Sequence, residues 1–178
     1  AFRDWIWRDP HRRETLSTKY NELFNSTRPR EYDGSHIRFG GMNPDITLRE
    51  HQRNAIAHVL YGGNTLLAHA VGAGKTMVMC VAAYEMKRLG MTQKPLIIGL
   101  KANVHEIADT FRKAYPSAKV LYPGKEDFTP ANRKEVFSKI QNNNWDCIIL
   151  THDQFAKIPQ SEQTMIDIFT EELADVER

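Results

Sequence analysis

The sequence predicts an α/β fold in which helices cover both faces of a parallel sheet. Short apolar segments alternate with longer amphipathic segments from residue 48 to about residue 158. Residues 96–100 are apolar throughout, as expected of a strand that is covered on both of its faces. A glycine-rich turn joins one apolar segment to a following helical pattern, which is typical of a strand–loop–helix unit. Strands that alternate with helices favour a parallel sheet with right-handed crossovers.

The predicted elements follow one another in a regular order. Apolar runs predict strands at residues 65–68, 96–100, 119–122 and 146–151. Apolar residues at helical spacing, with start and stop signals, predict helices at residues 50–61 and 77–89, after Asn103, and after Thr129 and Pro130. Because ligands of parallel sheets bind at the carboxyl ends of the strands, a functional site is expected at that edge.

Two flanking segments depart from this pattern. Residues 1–47 are predicted to be a helical and irregular lead-in, in which Asp9 and Pro10 start a helix. Residues 48–158 form the predicted α/β unit. Residues 159–178 are predicted to be an amphipathic helix whose apolar face needs a partner surface. Because the chain starts without Met and ends within this helical pattern, we expect it to be part of a longer protein.

Composition excludes several classes of protein. The 178 residues are 41% hydrophobic and 26% charged, as in soluble globular proteins. The net charge of +2 is too small to indicate nucleic-acid binding by itself. No apolar run approaches the roughly 20 residues that cross a bilayer, and the two cysteines lie in apolar segments. We therefore expect no membrane contact, buried thiols and a reducing, cytoplasmic location.

The most informative segment is residues 66–76, where an apolar run leads into Gly72, Gly74, Lys75 and Thr76. Glycines allow backbone N–H groups to turn towards a phosphate, and the following helix directs its positive N-terminus to the same charge. In such a loop Lys75 contacts the β- and γ-phosphates, and the Thr76 hydroxyl holds Mg²⁺. His69 stands where the common pattern has its first glycine. The strand before the turn and the helix after it favour a phosphate loop over a chance Gly-Lys-Thr turn.

Gln52 is a candidate for recognising adenine, one helix before this loop. An amide side chain carries a donor and an acceptor, and so can match both features of the adenine edge. Spacing alone gives equal weight to the alternative, which is a surface residue of a helix.

Four segments in order resemble the opening motifs of superfamily II helicases, and are most similar to those of the Swi/Snf-like DNA translocases. These segments are residues 48–52, 70–76, 96–103 and 146–155. Residues 4–36 resemble the segment before the helicase domain in large DNA methylase–helicase fusion proteins of bacterial mobile elements and phages. Swi/Snf proteins usually have an acidic pair where this chain has His69 and Ala70, so the electrostatics of the loop differ.

The resemblance implies part of a RecA-like lobe and a role for each matching residue. Gln52 would recognise adenine, and the residues that bind ATP and Mg²⁺ would be Gly72, Ala73, Gly74, Lys75 and Thr76. A DNA backbone, double-stranded by this resemblance, would be contacted by Lys101, Ala102, Asn103 and Thr151. The parent protein would be an ATP-dependent DNA translocase or helicase. A second RecA-like lobe and a DNA methyltransferase module would lie in the same chain.

Hydrolysis in this superfamily needs a strand that ends in Asp-Glu, and the sequence contains no Asp-Glu pair. Asp153 follows an apolar strand and is the nearest alternative. Strand length places Thr151 rather than Asp153 at a metal position, which favours DNA contact for this segment. We therefore expect the chain to bind a nucleotide without turning it over.

Two other functions remain open at this point. A small nucleotide-kinase-like phosphotransferase shares the strand–loop–helix unit, but it needs an arginine-rich lid and an acceptor site. A non-catalytic docking module would use the aromatic lead-in and the helix at residues 159–178 to bind other domains.

Overall fold

The computed structural model of the chain describes residues 5, 8–25, 30–159, 166 and 170. Its contacts divide the chain into two compact units, Ala1–Tyr32 and Asp33–Arg178. This division lies earlier than the predicted boundary after residue 47, because the residues after Tyr32 pack on a helix of the second unit. The N–H of Gly34 donates to Asn54 Oδ1 at 2.9 Å, and a Cβ added to Gly34 would lie 2.1 Å from the carbonyl oxygen of Arg53.

In the first unit, helix α1 (Pro10–Tyr20) continues into a π-helical turn (Asn21–Asn25). The predicted helix start at Asp9 and Pro10 is confirmed. The Asp9 carboxylate accepts hydrogen bonds from the N–H groups of His11 and Arg12 at 3.0 and 3.3 Å, which satisfies donors that lack an intrahelical partner. None of the residues of α1 or of this turn is buried.

The second unit follows the predicted alternation of helices and strands. Its helices are α2 (Glu50–Gly62), α3 (Lys75–Arg88), α4 (Val104–Ala114), a 3-10 turn (Glu126–Phe128), α5 (Arg133–Asn142) and α6 (His152–Phe155). Its strands are β1 (Leu96–Gly99), β2 (Val120–Leu121) and β3 (Cys147–Thr151). The strands form a parallel sheet in the order β1-β3-β2. The predicted α/β fold is confirmed.

The core is built around β3, which lies between the other two strands. Ile148 pairs with Leu96 of β1 and with Leu121 of β2. The four residues that precede Thr151 are all buried, as the continuous apolar run predicts. Helices α2, α3 and α4 pack against one another in sequence order, and α4 also contacts β1 and β3. Burial of each large apolar side chain in this core contributes about 1.5–3 kcal/mol.

The strand predicted at residues 65–68 is wrong, since the structure has no regular element there. A strand needs a neighbour for its backbone hydrogen bonds, and among the described residues β1 pairs only with β3. Leu66 is consequently 89% exposed, and Leu96 on the free edge of β1 is 39% exposed. Thr65 and Leu67 of this segment line a groove beside β1 instead.

The predicted helix boundaries shift by a few residues. Helix α3 starts at Lys75, two residues before the predicted start, because Gly74 supplies the left-handed turn that precedes it. Helix α5 starts at Arg133, after a turn that begins at Thr129. Of the helix predicted within residues 159–178, Ile166 and Thr170 are helical and exposed; the residues around them lie outside the described part of the chain. Within the described ranges, every helix is too short or too polar to span a bilayer.

Candidate functional site

The loop between His69 and Thr76, the P-loop below, has the backbone of an anion cradle. Gly72 and Gly74 have φ angles of +83° and +79°, in the left-handed region that favours glycine. Helix α3 starts directly afterwards, at Lys75. The first N–H groups of an α-helix have no intrahelical acceptor, and they carry the positive end of the helix dipole. The first turn of α3 therefore presents unpaired amides where the sequence predicts a phosphate.

Two carbonyl groups of the P-loop, those of Ala73 and Gly74, are held by donors from outside it. The Ala73 carbonyl accepts a hydrogen bond from His51 Nε2 at 2.9 Å and a longer one from Gln52 Nε2 at 3.5 Å. The Gly74 carbonyl accepts from Gln52 Nε2 at 3.4 Å and from the N–H of Val78 at 3.2 Å. The N–H of Ala73 donates to the Ala70 carbonyl at 3.3 Å, so the N–H groups at the start of α3 are the amides that the P-loop offers a ligand.

Gln52 is buried, with 8% of its surface exposed, so the alternative of a surface helix residue is wrong. Its Oε1 accepts the N–H of Arg49 at 3.0 Å, which closes the first turn of α2. Its Nε2 lies so close to the P-loop that a Cβ added to Gly74 would be 2.3 Å away. The structure therefore gives Gln52 a positioning role, and a side chain at position 74 would require the amide of Gln52 to move.

Lys75 folds back over the P-loop. Its Nζ donates to the carbonyl oxygens of His69 and Ala70 at 2.8 and 2.9 Å, which leaves one of three ammonium protons for another acceptor. Lys75 and Thr76 are half-buried and line a mostly apolar groove of about 730 Å³ that runs beside β1. The cation and the hydroxyl predicted to meet a nucleotide thus face one cavity.

His69 replaces the first glycine of the common loop pattern, and the structure places its ring beside that of His51. The ring centroids are 5.8 Å apart in an edge-to-face arrangement, and His69 Nδ1 is buried without a hydrogen-bond partner. Across the described residues, no group of three His, Cys, Asp or Glu side chains is placed to hold a metal ion.

The residues predicted to contact DNA separate into two places. Lys101 and Thr151 line a second cavity of about 340 Å³ at the carboxyl ends of the strands, which we call the strand-end cleft. Asn103 instead lines the groove that holds Lys75 and Thr76. Ala102 is exposed in the turn between them. Asp153 lines the strand-end cleft and is not among the residues of the groove, which separates it from the predicted metal position.

A second buried glutamine closes the strand-end cleft. Gln154 is 8% exposed, and its Oε1 accepts the N–H of Thr151 at 2.9 Å. Thr151 Oγ1 in turn accepts the N–H of Gln154 at 3.1 Å, which makes a reciprocal cap at the start of α6. Gln154 Nε2 donates to the carbonyl oxygens of Pro123 and Gly124 at 3.2 and 3.3 Å. The loop after β2 is therefore fixed to the end of β3.

Comparison with protein families matches the sequence of this chain to a known group. A family described as a probable helicase domain matches residues 58–178, which is more than half of the chain. The chain belongs to this helicase family. A second family, described as a domain of unknown function (DUF8437), matches residues 1–26. Comparison with curated proteins gave no match.

The matched part of the helicase domain contains the P-loop, both cavities and Gln154, whereas Gln52 and His51 lie before it. Sequence reasoning missed the roles of His51 and Gln154. The signal for Gln154 was available, because Thr151-x-x-Gln154 is the spacing of a capping box. No sequence signal identified His51, since its bond to Ala73 depends on how α2 packs against the P-loop.

The two cysteines of the helicase domain are buried and unpaired, as the sequence predicts. Burial raises the pKa of the Cys80 thiol to about 12 and raises the pKa of Cys147 well above its usual range. A buried thiol with a raised pKa is a poor nucleophile, and within the described residues neither cysteine belongs to a group that could hold a metal ion. Both cysteines are therefore structural residues.

Proposed function

We propose that this chain is the ATP- and DNA-binding front part of the first RecA-like lobe of a superfamily II DNA translocase of the Swi/Snf-like kind. The observation that carries the proposal is the P-loop, in which Gly72 and Gly74 are left-handed and α3 starts at Lys75. Membership of a probable helicase family supports the same reading. The family match does not favour the phosphotransferase alternative.

The residues of the P-loop fit a nucleoside triphosphate with Mg²⁺. At Gly74 the φ of +79° favours glycine, and a Cβ there would require the amide end of the Gln52 side chain to move. The amides at the start of α3 would bind the phosphates, Lys75 would neutralise their charge, and the Thr76 hydroxyl would hold Mg²⁺. In the parent protein, hydrolysis of the bound ATP would supply the free energy for movement. Gln52 remains the candidate for adenine, and its Nε2 would have to exchange one of its long bonds to the loop, at 3.4 and 3.5 Å, for a bond to the base.

DNA is the polymer along which the translocase is proposed to move. Lys101, Ala102 and Asn103 follow β1, and Thr151 ends β3, so all four lie at the carboxyl edge of the sheet. An ammonium group, backbone amides and a hydroxyl are the groups that contact phosphates without reading sequence. The parent protein would carry a second RecA-like lobe and a DNA methyltransferase module, as in methylase–helicase fusion proteins.

The chain itself is proposed to bind ATP without hydrolysing it. The sequence has no Asp-Glu pair to hold Mg²⁺ and to position water, and Asp153 lies in the other cavity. ATPase activity is thus assigned to the parent protein, with the Asp-Glu strand supplied by residues outside this sequence.

Calorimetric titration of the chain with ATP and Mg²⁺ tests the proposal. Lys75→Ala should weaken binding by roughly tenfold or more, because it removes charge-assisted hydrogen bonds to phosphate. Lys134→Ala is the matched control, since Lys134 is an exposed lysine on α5 outside both cavities. Absence of binding at millimolar ATP, or equal ATP affinity of Lys75→Ala and the unsubstituted chain, would contradict the nucleotide site. Phosphoryl transfer from ATP to a nucleotide acceptor would favour the kinase-like alternative instead.

A further inference from the structure

The strand-end cleft contains more cationic groups than the predicted DNA-binding residues supply. Lys101 is joined there by Lys125 from the loop after β2 and by Lys157 from the turn after α6. All three lysines are exposed, and within the described part of the chain none of them forms an ion pair. Asp153 is the carboxylate among the lining residues. Three separate chain segments therefore bring positive charge to one small cavity.

The loop that carries Lys125 is fixed from two sides. Gln154 Nε2 holds the carbonyl oxygens of Pro123 and Gly124, and Asp127 Oδ2 accepts the N–H of Gly124 at 2.7 Å. Gln154 is anchored in turn by its bond to the N–H of Thr151. The buried amide of Gln154 therefore fixes the backbone of the two residues directly before Lys125. It also sets the distance between Lys125 and the end of β3.

One wall of the cleft is also ordered. Tyr122 Oη and His105 Nδ1 are 2.9 Å apart, with the rings nearly perpendicular and their centroids 5.3 Å apart. This contact connects the end of β2 to the first turn of α4, next to the turn that carries Lys101. The walls are thus set by side-chain hydrogen bonds, while the lysines at the mouth stay available to an anion.

We propose that the strand-end cleft binds the phosphodiester backbone of one DNA strand through Lys101, Lys125 and Lys157, and that Gln154 is the positioning residue that places Lys125 for this contact. The inference rests on the proposed function, in which this edge of the sheet meets DNA. It adds a loop and a buried amide to the residues that the sequence assigns to DNA. Gln154 acts through the loop and does not touch the strand.

The test measures binding of the full chain to a fluorescently labelled duplex of random sequence over a range of salt concentrations. Lys125→Ala should weaken binding roughly threefold to tenfold and reduce the slope of log K against log salt by about 0.9, as one phosphate contact is lost. Gln154→Ala should weaken binding to a similar extent, because Lys125 is no longer held in place. Lys134→Ala, outside the cleft, should change neither quantity.

A double-mutant cycle separates positioning from a merely structural role. If Gln154 acts through Lys125, the double variant binds no more weakly than Lys125→Ala alone. Additive losses, or a Gln154→Ala variant with wild-type affinity and slope, would overturn the positioning role. If Gln154→Ala fails to fold, the salt slope of Lys125→Ala decides alone, and an unchanged slope overturns the cleft as a backbone site.

Two further arms separate this inference from the proposed function. If Lys101→Ala weakens duplex binding and Lys125→Ala does not, DNA binding stands and the inference fails. If the unsubstituted chain binds no duplex at low salt, the proposed DNA binding and the inference about the cleft fail together. Inorganic phosphate is the second probe. Displacement of the duplex by phosphate more effectively than by sulfate of equal ionic strength would make the cleft a free-phosphate site and overturn the assignment to a DNA strand.

Discussion

The P-loop and the loop after β2 are each held by a buried glutamine at the third position of a helix, yet the two loops differ in how they keep their shape. Gln52 and Gln154 both accept the N–H of the residue that caps their helix, at 3.0 and 2.9 Å. Each donates to two successive carbonyl oxygens of the neighbouring loop. The bonds from Gln52 are 3.4 and 3.5 Å long, whereas those from Gln154 are 3.2 and 3.3 Å.

The difference lies in the backbone that each glutamine holds. The P-loop has two left-handed glycines and further donors to its carbonyl groups, from His51 and from the N–H of Val78. Gly124 in the other loop is not left-handed. The first loop is therefore defined mainly by glycine conformation and close packing, and the second mainly by side-chain hydrogen bonds. Replacing a glycine should consequently destabilise the chain more in the P-loop than in the loop after β2. Replacing the glutamine should destabilise it more in the loop after β2.

The largest effect is expected from Gly74→Ala. A side chain at φ +79° is strained, and its Cβ would lie 2.3 Å from Gln52 Nε2, so the free energy of unfolding should fall by roughly 2–3 kcal/mol. Gly72→Ala has the same strain at φ +83° but nothing within 4 Å of its Cβ, and should cost about 1–2 kcal/mol. Urea denaturation monitored by circular dichroism measures both changes.

Gly124→Ala is the matched substitution in the other loop. A Cβ there would meet Asp127 Oδ2 at an ordinary 3.5 Å, so the free energy of unfolding should change by less than about 0.5 kcal/mol. Equal losses for Gly74→Ala and Gly124→Ala would show that the two loops do not differ in the way described.

Substitution of the glutamines should destabilise the loop after β2 more than the P-loop, and by smaller amounts than substitution of Gly74. Gln154→Ala removes the side-chain donor shared by Pro123 and Gly124, and no other donor to these carbonyl groups occurs among the described residues. After Gln52→Ala, Ala73 keeps His51 as a donor and Gly74 keeps the N–H of Val78. We expect Gln154→Ala to lower the free energy of unfolding by about 1 kcal/mol more than Gln52→Ala, in the same denaturation experiment. A larger loss for Gln52→Ala would reverse the comparison.

The sequence predicts the fold and the P-loop well because both depend on local patterns. The alternation of apolar runs predicts the parallel sheet, and the Gly-x-Gly-Lys-Thr pattern predicts the left-handed turn before α3. The strand expected at residues 65–68 fails, since an apolar run becomes a strand only when a neighbour completes its hydrogen bonds. The division of residues 101–103 between two cavities also could not be predicted, because Lys101 and Asn103 lie on different sides of one turn.

Gln52 and Gln154 show what tertiary structure adds to a local signal. The capping spacing at Thr151-x-x-Gln154 is visible in the sequence, but the carbonyl groups that Gln154 holds come from a loop about 30 residues away. Likewise, the contact of Gln52 with the P-loop spans 21 and 22 residues. The capping bond that each glutamine makes within its own helix can be predicted from the spacing of residues in the sequence. The distant carbonyl groups that it also binds depend on how the helices pack against the loops.

The smallest effect concerns local opening, which the two buried thiols report separately. Cys80 lies on the helix that follows the P-loop, and Cys147 lies on the strand that leads to Gln154. Because both stay protonated, alkylation near pH 8 should proceed only through opening of the surrounding structure. Gly74→Ala should accelerate labelling of Cys80 more than of Cys147, and Gln154→Ala should do the opposite, as measured by mass spectrometry of digested samples. Equal acceleration of both thiols by each variant would mean that the regions open as one unit.

The pH dependence of the unfolding free energy tests whether Cys80 is buried and protonated, as the labelling experiment assumes. The pKa of Cys80 is about 12 in the folded chain, against an ordinary value of 9.0, since burial disfavours the thiolate. The unfolded chain therefore releases this proton first as the pH rises. The contribution of the protonated thiol to stability is complete below pH 9 and falls as the pH approaches 12. Cys80→Ala should flatten the decline of the unfolding free energy in this range. An unchanged decline would show that Cys80 is already ionised or exposed, and would invalidate labelling as a measure of opening at α3.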